Sequence, residues 1–255
     1  MQIKSAALTA IGKARSINED SFYINGIYKE KAMAKEESFV NTSQNRGLYA
    51  VCDGMGGAND GFVASYICAR LLEDYQSKGV DEMESYFTEA NRMVCKYIDE
   101  HNGKPTGSTV AAVFADNGCA TVFNIGDSRV YFLRESELTK ISVDHTSAQR
   151  MVNMGLLSAE QADKDASRHT LTQHVGIHES ELVIEPYRSK PIFLKKRDRF
   201  MLCSDGLYES INETVIKSII SDLSAEPMEI CRRLVDSGAN SGGKDDITVV
   251  IIDIC

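Results

Sequence analysis

The first half of the chain contains short apolar runs followed by longer stretches with helical spacing. Apolar and β-branched residues cluster at 3–9, 20–25 and 47–52, and runs of this length predict strands. Over 60–77 and 81–101 the apolar residues recur every three or four positions, which predicts two amphipathic helices. The N-terminal half is therefore expected to form three strands and then a pair of helices.

The segment 28–46 interrupts this pattern, because its polar and apolar residues follow neither the strand period nor the helix period. Its charged part, Lys29 to Glu37, is typical of a solvated surface stretch. We therefore expect an exposed insertion at about 28–46, just before the strand at 47–52.

After Gly103 the pattern changes to β-rich runs separated by turn residues, which predicts an antiparallel meander of "STVAAVFA", "CATVFNIG", "SRVYFLRE" and "ELTKIS". Residues 145–180 are more polar and contain weak helical patterns. The remaining predicted elements are helices over 146–154, 158–164, 212–221 and 226–239, and strands over 182–188, 199–204 and 246–253. Strands in runs and helices in pairs favour an α+β layered fold over alternating βαβ units.

Composition limits the kinds of partner and the cellular compartment that we expect for this chain. The chain has 255 residues, 43% of them hydrophobic, and a formal net charge of −9, which disfavours nucleic acid or an anionic membrane as the principal partner. No run approaches the roughly 20 apolar residues of a membrane helix, and the first residues lack a signal-peptide core. The seven cysteines are scattered without a C-x-x-C pair, so we expect a reducing cytoplasm. Cys52 and Cys203 are interpreted as small buried apolar residues rather than redox centres.

Acidic residues recur where predicted strands end beside turns. In "YAVCDGMGGAND" an apolar run ends at Asp53 and is followed at once by glycines. Asp20 in "NEDS", Asp127 in "IGDSR", Asp205 in "CSDGLYE" and the acid pair of "GGKDDITVV" share this arrangement. Carboxylate and carbonyl oxygens suit Mg²⁺, Mn²⁺ or Ca²⁺, although a single Asp-Gly is more often a turn. Five such places favour a divalent-cation site. The chain contains neither G-x-x-x-x-G-K-[ST] nor G-x-G-x-x-G, which excludes those nucleotide-binding loops.

The ordered motifs "RSINED", "VCDGMGG", "GST", "IGDSRVY", "CSDGLYE" and "GGKDDITVV" resemble the metal-dependent protein phosphatases of type 2C (PPM), bacterial branch. The resemblance extends from about residue 4 to residue 253. It implies a single domain over 1–255 with an α+β fold, a four-layer α-β-β-α sandwich of two antiparallel sheets flanked by helices. It also implies a mobile flap at about 145–180, and hydrolysis of phosphoserine and phosphothreonine monoesters by a metal-bridged hydroxide attacking phosphorus in line.

By the same resemblance, Asp53 bridges two Mn²⁺ or Mg²⁺ ions and the Gly54 carbonyl binds the second of them. Asp20 holds that second ion, through water, whereas Asp205 and Asp245 bind the first.

The resemblance further assigns a weaker third ion to Asp127 together with Asp205. It makes Arg15 the group that binds the substrate phosphate. This role suits the guanidinium, which can donate hydrogen bonds to two phosphate oxygens at once. In the last motif either Asp245 or Asp246 could be the ligand, and the usual Asp-Asn of the family favours Asp245.

The sequence departs from the family pattern in two places. Eukaryotic members carry a histidine, a proposed general acid, directly after the Asp-Gly of the opening loop, where this chain has Met55. The proton donor is therefore unidentified, and a metal-bound water is one hypothesis. In the flap, Asp165-Ala166 replaces the usual His-Pro. His174 and His178 have the spacing of a zinc pair on a helix, but no third ligand supports that interpretation.

Two other functions fit the same residues, namely a catalytically silent regulatory module of this fold and a dinuclear phosphoesterase for small molecules. The resemblance predicts phosphoprotein partners, including substrates of a cognate Ser/Thr kinase and the kinase itself. A monomer without nucleic-acid or membrane partners is expected.

Overall fold

The computed structural model describes residues 1–29, 36–56, 60–101 and 104–255. Within these ranges the strands are β1 Gln2–Ala10, β2 Ser21–Ile24, β3 Ile27–Tyr28, β4 Glu36–Gln44, β5 Arg46–Cys52, β6 Gly54–Met55, β7 Gly107–Ser108, β8 Val110–Asp116, β9 Cys119–Ile125, β10 Arg129–Arg134, β11 Glu137–Lys140, β12 Tyr187–Arg188, β13 Ile192–Phe193, β14 Arg199–Cys203 and β15 Ile247–Ile254. The helices are α1 Asp60–Leu71, α2 Met83–Glu100, α3 Ser147–Asn153, α4 Ala159–Ala162, α5 Asp205–Ser210, α6 Glu213–Ile220 and α7 Pro227–Asn240. Three 3₁₀ segments cover Leu72–Tyr75, Val80–Glu82 and Ala166–His169.

The strands form two large antiparallel sheets. The first has the order β11-β10-β14-β15-β1-β4, and the second has the order β12-β9-β8-β5-β2-β3 with β13 also on β9. β6 and β7 form a separate two-stranded ribbon. Because β15 lies between β1 and β14, the C-terminal strand is central to the first sheet and brings the acidic "KDD" loop beside the N-terminal strand.

Three apolar cores define four layers. The core between the sheets includes Phe22, Val51 and Leu202, and a second core packs α1 and α2 on the outer face of the second sheet. A third core packs α5, α6 and α7 on the outer face of the first sheet. Both faces of each sheet are therefore buried, as in an α-β-β-α sandwich. The predicted fold class is confirmed.

Most predicted elements are present, but the predicted meander is wrong as a unit, because β8 and β9 pair in the second sheet whereas β10 and β11 pair in the first. The first predicted helix is shorter, since α1 ends at Leu71 and a 3₁₀ turn follows. The strand predicted over 182–188 is wrong for most of its length, because only Tyr187–Arg188 pairs with β9. α5 was not predicted, because six residues are too few to display a helical period.

The interpretation of 28–46 needs correction at both ends. Lys29, assigned to a solvated stretch, is fully buried. Residues 36–44 form the edge strand β4, paired with β1 along its whole length, although Val40 is exposed as expected. Residues 30–35, the middle of the expected insertion, lie outside the described residues.

All seven cysteines are free thiols, and both Cys52 and Cys203 are buried. Burial raises the pKa of the Cys203 thiol to about 12, which suits its interpretation as an unreactive apolar residue. Among the described residues, no helix has the length and apolar character needed to cross a bilayer.

Candidate functional site

An open cavity of about 560 Å³ lies where β5, β9 and β14 end and where the loop before β15 begins. Three short loops, which carry acidic residues, and part of the flap form its walls. The lining residues are Arg15, Glu19, Asp53, Gly54, Met55, Gly56, Thr109, Asp127, His169, Thr170, Leu171, His174, Asp205 and Asp245. Five of the six predicted metal ligands are therefore on this wall, and the sixth, Asp20, lies buried behind it.

Asp53 follows β5 directly and is held by its backbone. Its N–H donates to the Thr109 hydroxyl at 3.0 Å, and the Thr109 N–H donates to the Asp53 carbonyl at 2.9 Å. Burial raises the pKa of the Asp53 carboxyl well above its usual range, and the charges of Asp20 and Asp205 raise it further. β5 thus places the Asp53 carboxylate near other carboxylates, whose negative charges repel it.

Gly54 is the next residue, and no side chain fits at its position. A Cβ atom there would lie 2.1 Å from the Gly61 carbonyl oxygen and 2.6 Å from that of Glu19. This close approach lets β6 run between α1 and the loop before β2, where it pairs with β7. Packing at the cavity wall therefore explains the glycine at position 54.

Asp20 is buried immediately before β2, and its carboxylate accepts a hydrogen bond from the Ser204 hydroxyl at 2.7 Å. Burial raises the pKa of Asp20 to about 7, and the charge of Asp246 adds to the increase. Ser204 in turn accepts the Thr248 N–H at 3.0 Å, so Asp20 is tied to β15. The acid predicted from "NED" lies within the cluster of carboxylates.

Asp127 and Asp205 follow strands of different sheets. Asp127 follows β9, and Asp205 is the first residue of α5. Burial raises the pKa of Asp127 to about 6, and the charge of Asp144 also raises it. Burial raises the pKa of Asp205 well above its usual range, with Asp127 and Asp245 as the next causes.

The two adjacent acids of the last motif have different surroundings. Asp246 is buried, and its two carboxylate oxygens accept the N–H groups of Gly12 at 2.9 Å and Glu19 at 2.8 Å. Asp245 lines the cavity instead. The oxygens of Asp246 are therefore engaged by the backbone of the 12–19 loop, whereas those of Asp245 accept from the Arg15 side chain at the cavity wall.

The Arg15 guanidinium forms a bidentate contact with the Asp245 carboxylate. Its Nε lies 2.8 Å from Asp245 Oδ1 and its second terminal nitrogen lies 2.7 Å from Oδ2. The hydrogen bonds to Asp245 raise the pKa of the Arg15 guanidinium, so it stays charged. Two nitrogens of the Arg15 guanidinium are thus bonded to a carboxylate of the same cavity wall.

The donor set fits hard divalent cations by its chemistry, since it consists of carboxylates and an accessible backbone carbonyl. In the described part of the chain, no three acidic, histidine or cysteine side chains converge tightly enough to hold one ion. Asp245 forms an ion pair with Arg15. Close carboxylates that raise one another's pKa are destabilising unless a cation lies among them.

His174 and His178, whose spacing alone suggested a zinc pair that no third ligand supports, lie in irregular backbone rather than on a helix. His174 lines the cavity, whereas His178 has its Nε2 3.6 Å from Asp99.

Sequence reasoning missed several residues of this site. Lys29 lies behind the acids, where its ammonium donates to the carbonyls of Asn18 and Asp20. His169 and His174 come from the flap, and Glu19 comes from the loop before β2. The "NED" motif itself was the available signal for Glu19, whereas Lys29 stands in a stretch whose charge pattern indicated solvent.

The sequence matches the family model described as protein phosphatase 2C over residues 24–234. The serine/threonine protein phosphatase PstP of Mycobacterium tuberculosis is 30% identical over 99% of this chain, which spans 45%, about half, of that relative. The protein phosphatase PhpP of Streptococcus pneumoniae is 27% identical, with 97% of this chain and 96% of the relative covered. A crystal structure of the PstP catalytic domain in complex with two manganese ions superimposes with a TM-score of 0.79 at 26% identity, covering 99% of both chains.

Proposed function

The chain belongs to the protein phosphatase 2C family, and from that premise we propose that it is a metal-dependent protein phosphatase. Its substrates are phosphoserine and phosphothreonine monoesters in proteins, as the names of its relatives suggest. The partners are phosphoproteins modified by a cognate Ser/Thr kinase, with the kinase itself as a further substrate. We place this activity in the cytoplasm of a bacterium.

The observation that carries the proposal is the gathering of acids at one cavity, with Asp53, Asp127, Asp205 and Asp245 on its wall. Asp20, Asp127, Asp205 and Asp245 all raise the pKa of the Asp53 carboxyl, so all are close enough to act on it. Such a cluster is costly without a compensating cation. A relative of known structure is described with two manganese ions, which supports Mn²⁺ as the compensating ion, with Mg²⁺ as the alternative.

The ligands in this proposal are those assigned from the motifs. Asp53 would bridge two cations, with the Gly54 carbonyl and Asp20 on one, and with Asp205 and Asp245 on the other. When bound, the cations would lower the pKa of water and neutralise charge on the phosphate ester. Asp127 and Asp205 would hold a weaker third ion.

Arg15 would bind the substrate phosphate. Its guanidinium already holds two carboxylate oxygens, and phosphate offers the same bidentate geometry. We expect Arg15→Ala to raise KM about tenfold, the loss of roughly 1.4 kcal/mol, with a smaller effect on kcat. Steady-state kinetics on a phosphothreonine peptide measures both constants. An unchanged KM would remove Arg15 from this role.

The activity is tested with purified protein and two substrates, p-nitrophenyl phosphate and a phosphothreonine peptide. Mn²⁺ should support hydrolysis of both, and EDTA should stop it. Mn²⁺ added to the metal-free protein should also raise its melting temperature, because an ion that binds only the folded state stabilises that state.

Each alternative function has its own signature in the same assay. Hydrolysis of the small ester without release of phosphate from the peptide would favour a small-molecule phosphoesterase. A rise in melting temperature with no hydrolysis would favour a silent regulatory module.

A further inference from the structure

Cleavage of a phosphoserine or phosphothreonine ester leaves an alkoxide, a strong base that departs easily only when it receives a proton. Met55, the residue directly after Asp53 and Gly54, has no acidic proton to give. A proton donor must therefore come from another part of the cavity wall or from bound water.

Among the described residues of the wall, most candidates are already engaged. The Glu19 carboxylate lies 3.5 Å from the Arg15 guanidinium and accepts the Gly61 N–H. His169 has both ring nitrogens occupied, with Nδ1 2.7 Å from Glu209 and Nε2 accepting from the Arg168 guanidinium at 2.9 Å. Neither presents a free proton toward a leaving group.

His174 has one ring nitrogen fixed and one free. Its Nδ1 lies 2.9 Å from the Val175 carbonyl oxygen, which can only accept, so Nδ1 carries a hydrogen. Within the described chain Nε2 has no hydrogen-bond partner. The ring is half-buried and lines the same cavity as Asp53 and Met55.

The ring is also held firmly beside the loop of Asp53. A Cβ atom on Gly107 would lie 2.5 Å from His174 Nδ1, so the imidazole packs directly on the Gly107 backbone. Gly107 pairs with Met55, and Ser108 pairs with Val175. The flap segment therefore extends the β6–β7 ribbon and places the imidazole next to the strand that pairs with Met55.

We propose that His174 is the catalytic residue that protonates the leaving oxygen, an inference that rests on the proposed phosphatase function. As water bonds to phosphorus, the ester P–O bond breaks and its electron pair stays on the serine or threonine oxygen. The Nε2 proton of the imidazolium moves to that oxygen and gives the free hydroxyl. The attacking water loses a proton to solvent, and the imidazole regains one from solvent before the next turnover.

The test compares substrates whose leaving groups differ in their need for a proton. Wild type, His174→Asn and His174→Gln are assayed with Mn²⁺ on a phosphothreonine peptide and on p-nitrophenyl phosphate, whose phenolate leaves without one. We expect each variant to lose about 100-fold or more in kcat on the peptide and to stay within about threefold on the small ester. The ratio of the two rates in one preparation is independent of the fraction folded.

His178→Asn is the matched control, because His178 is four residues away and does not line the cavity. It should leave both rates unchanged. An equal loss on both substrates, or no loss on the peptide, in the His174 variants would overturn the assignment. Absence of Mn²⁺-dependent hydrolysis in the wild type is a different result, because it would contradict the phosphatase function itself.

Discussion

The two sides of the cavity are built differently. On the side of residues 12–29, called here the clamped side, buried charged groups hold the backbone: Asp246 accepts two N–H groups and Lys29 donates to two carbonyls. On the side of residues 145–180, the flap, the short helices α3 and α4 leave Met154 58% and Leu156 68% exposed. Side-chain caps at Thr146 and Ser158 hold these helices locally. The comparison indicates that the clamped side is preorganised, while the flap is held by weaker and more local interactions.

Substitution of Asp53, at the meeting point of the clamped side and the cavity, should have the largest effect on activity. Asp53→Asn removes the only charge proposed to contact both cations, so we expect Mn²⁺-dependent hydrolysis to fall to background. Asp74→Asn, an exposed acid far from the wall, is the control and should remain fully active. Hydrolysis of p-nitrophenyl phosphate measures both. Appreciable activity in Asp53→Asn would contradict the bridging role.

The neighbouring acids Asp245 and Asp246 offer the sharpest test of how the clamped side is built. Asp246→Ala leaves the buried N–H groups of Gly12 and Glu19 without an acceptor, and should lower the free energy of unfolding by about 3 kcal/mol. Asp245→Ala removes a partly exposed ion pair and should cost about 1 kcal/mol or less. Urea denaturation measures both changes. Equal losses of stability would show that the two acids do not differ in this way.

The same two acids can also be compared by activity, and here Asp245→Ala is expected to have a large effect although its effect on stability is small. Asp245→Ala should lose Mn²⁺-dependent turnover although it stays folded, because a proposed ligand is gone. If Asp245→Ala kept full activity while Asp246→Ala lost it in the folded state, Asp246 would be the ligand.

Lys29 provides a second test of the clamped side. Its ammonium is fully buried and satisfies two backbone carbonyls, so Lys29→Met should leave both unpaired and lower the free energy of unfolding by about 2 kcal/mol. Lys4→Met, which breaks the exposed pair with Glu226, should leave the urea midpoint of unfolding nearly unchanged. If the two lysine variants unfolded at the same urea concentration, Lys29 would have no special part in holding this side.

The clamped side also shows where the sequence was informative and where it was not. Asp53 and Asp205 could be placed beside turns because an apolar run ends at each acid, and Asp20 because a β-rich run begins directly after it. Lys29 could not, because burial of a lysine depends on carbonyls brought to it by the fold. His174 was recognised only as half of an unsupported zinc pair, since its proximity to Met55 depends on a pairing between distant segments. The acids at the cavity could thus be predicted from local sequence, whereas the surrounding residues that the fold brings to them could not.

A leucine substitution on the flap should show the smallest effect, and one in α5 provides its matched contrast. Leu156→Ser on the flap changes a side chain that is mostly in water, so we expect unfolding free energy to change by no more than about 0.5 kcal/mol. Leu207→Ala in α5 empties a fully buried position directly after the Asp205-Gly206 pair and should cost about 2–5 kcal/mol. Urea denaturation of both variants compares the same residue type in two environments. A loss above about 2 kcal/mol for Leu156→Ser would mean that this part of the flap is packed like the buried position in α5, because losses of that size at an apolar residue come from buried contacts.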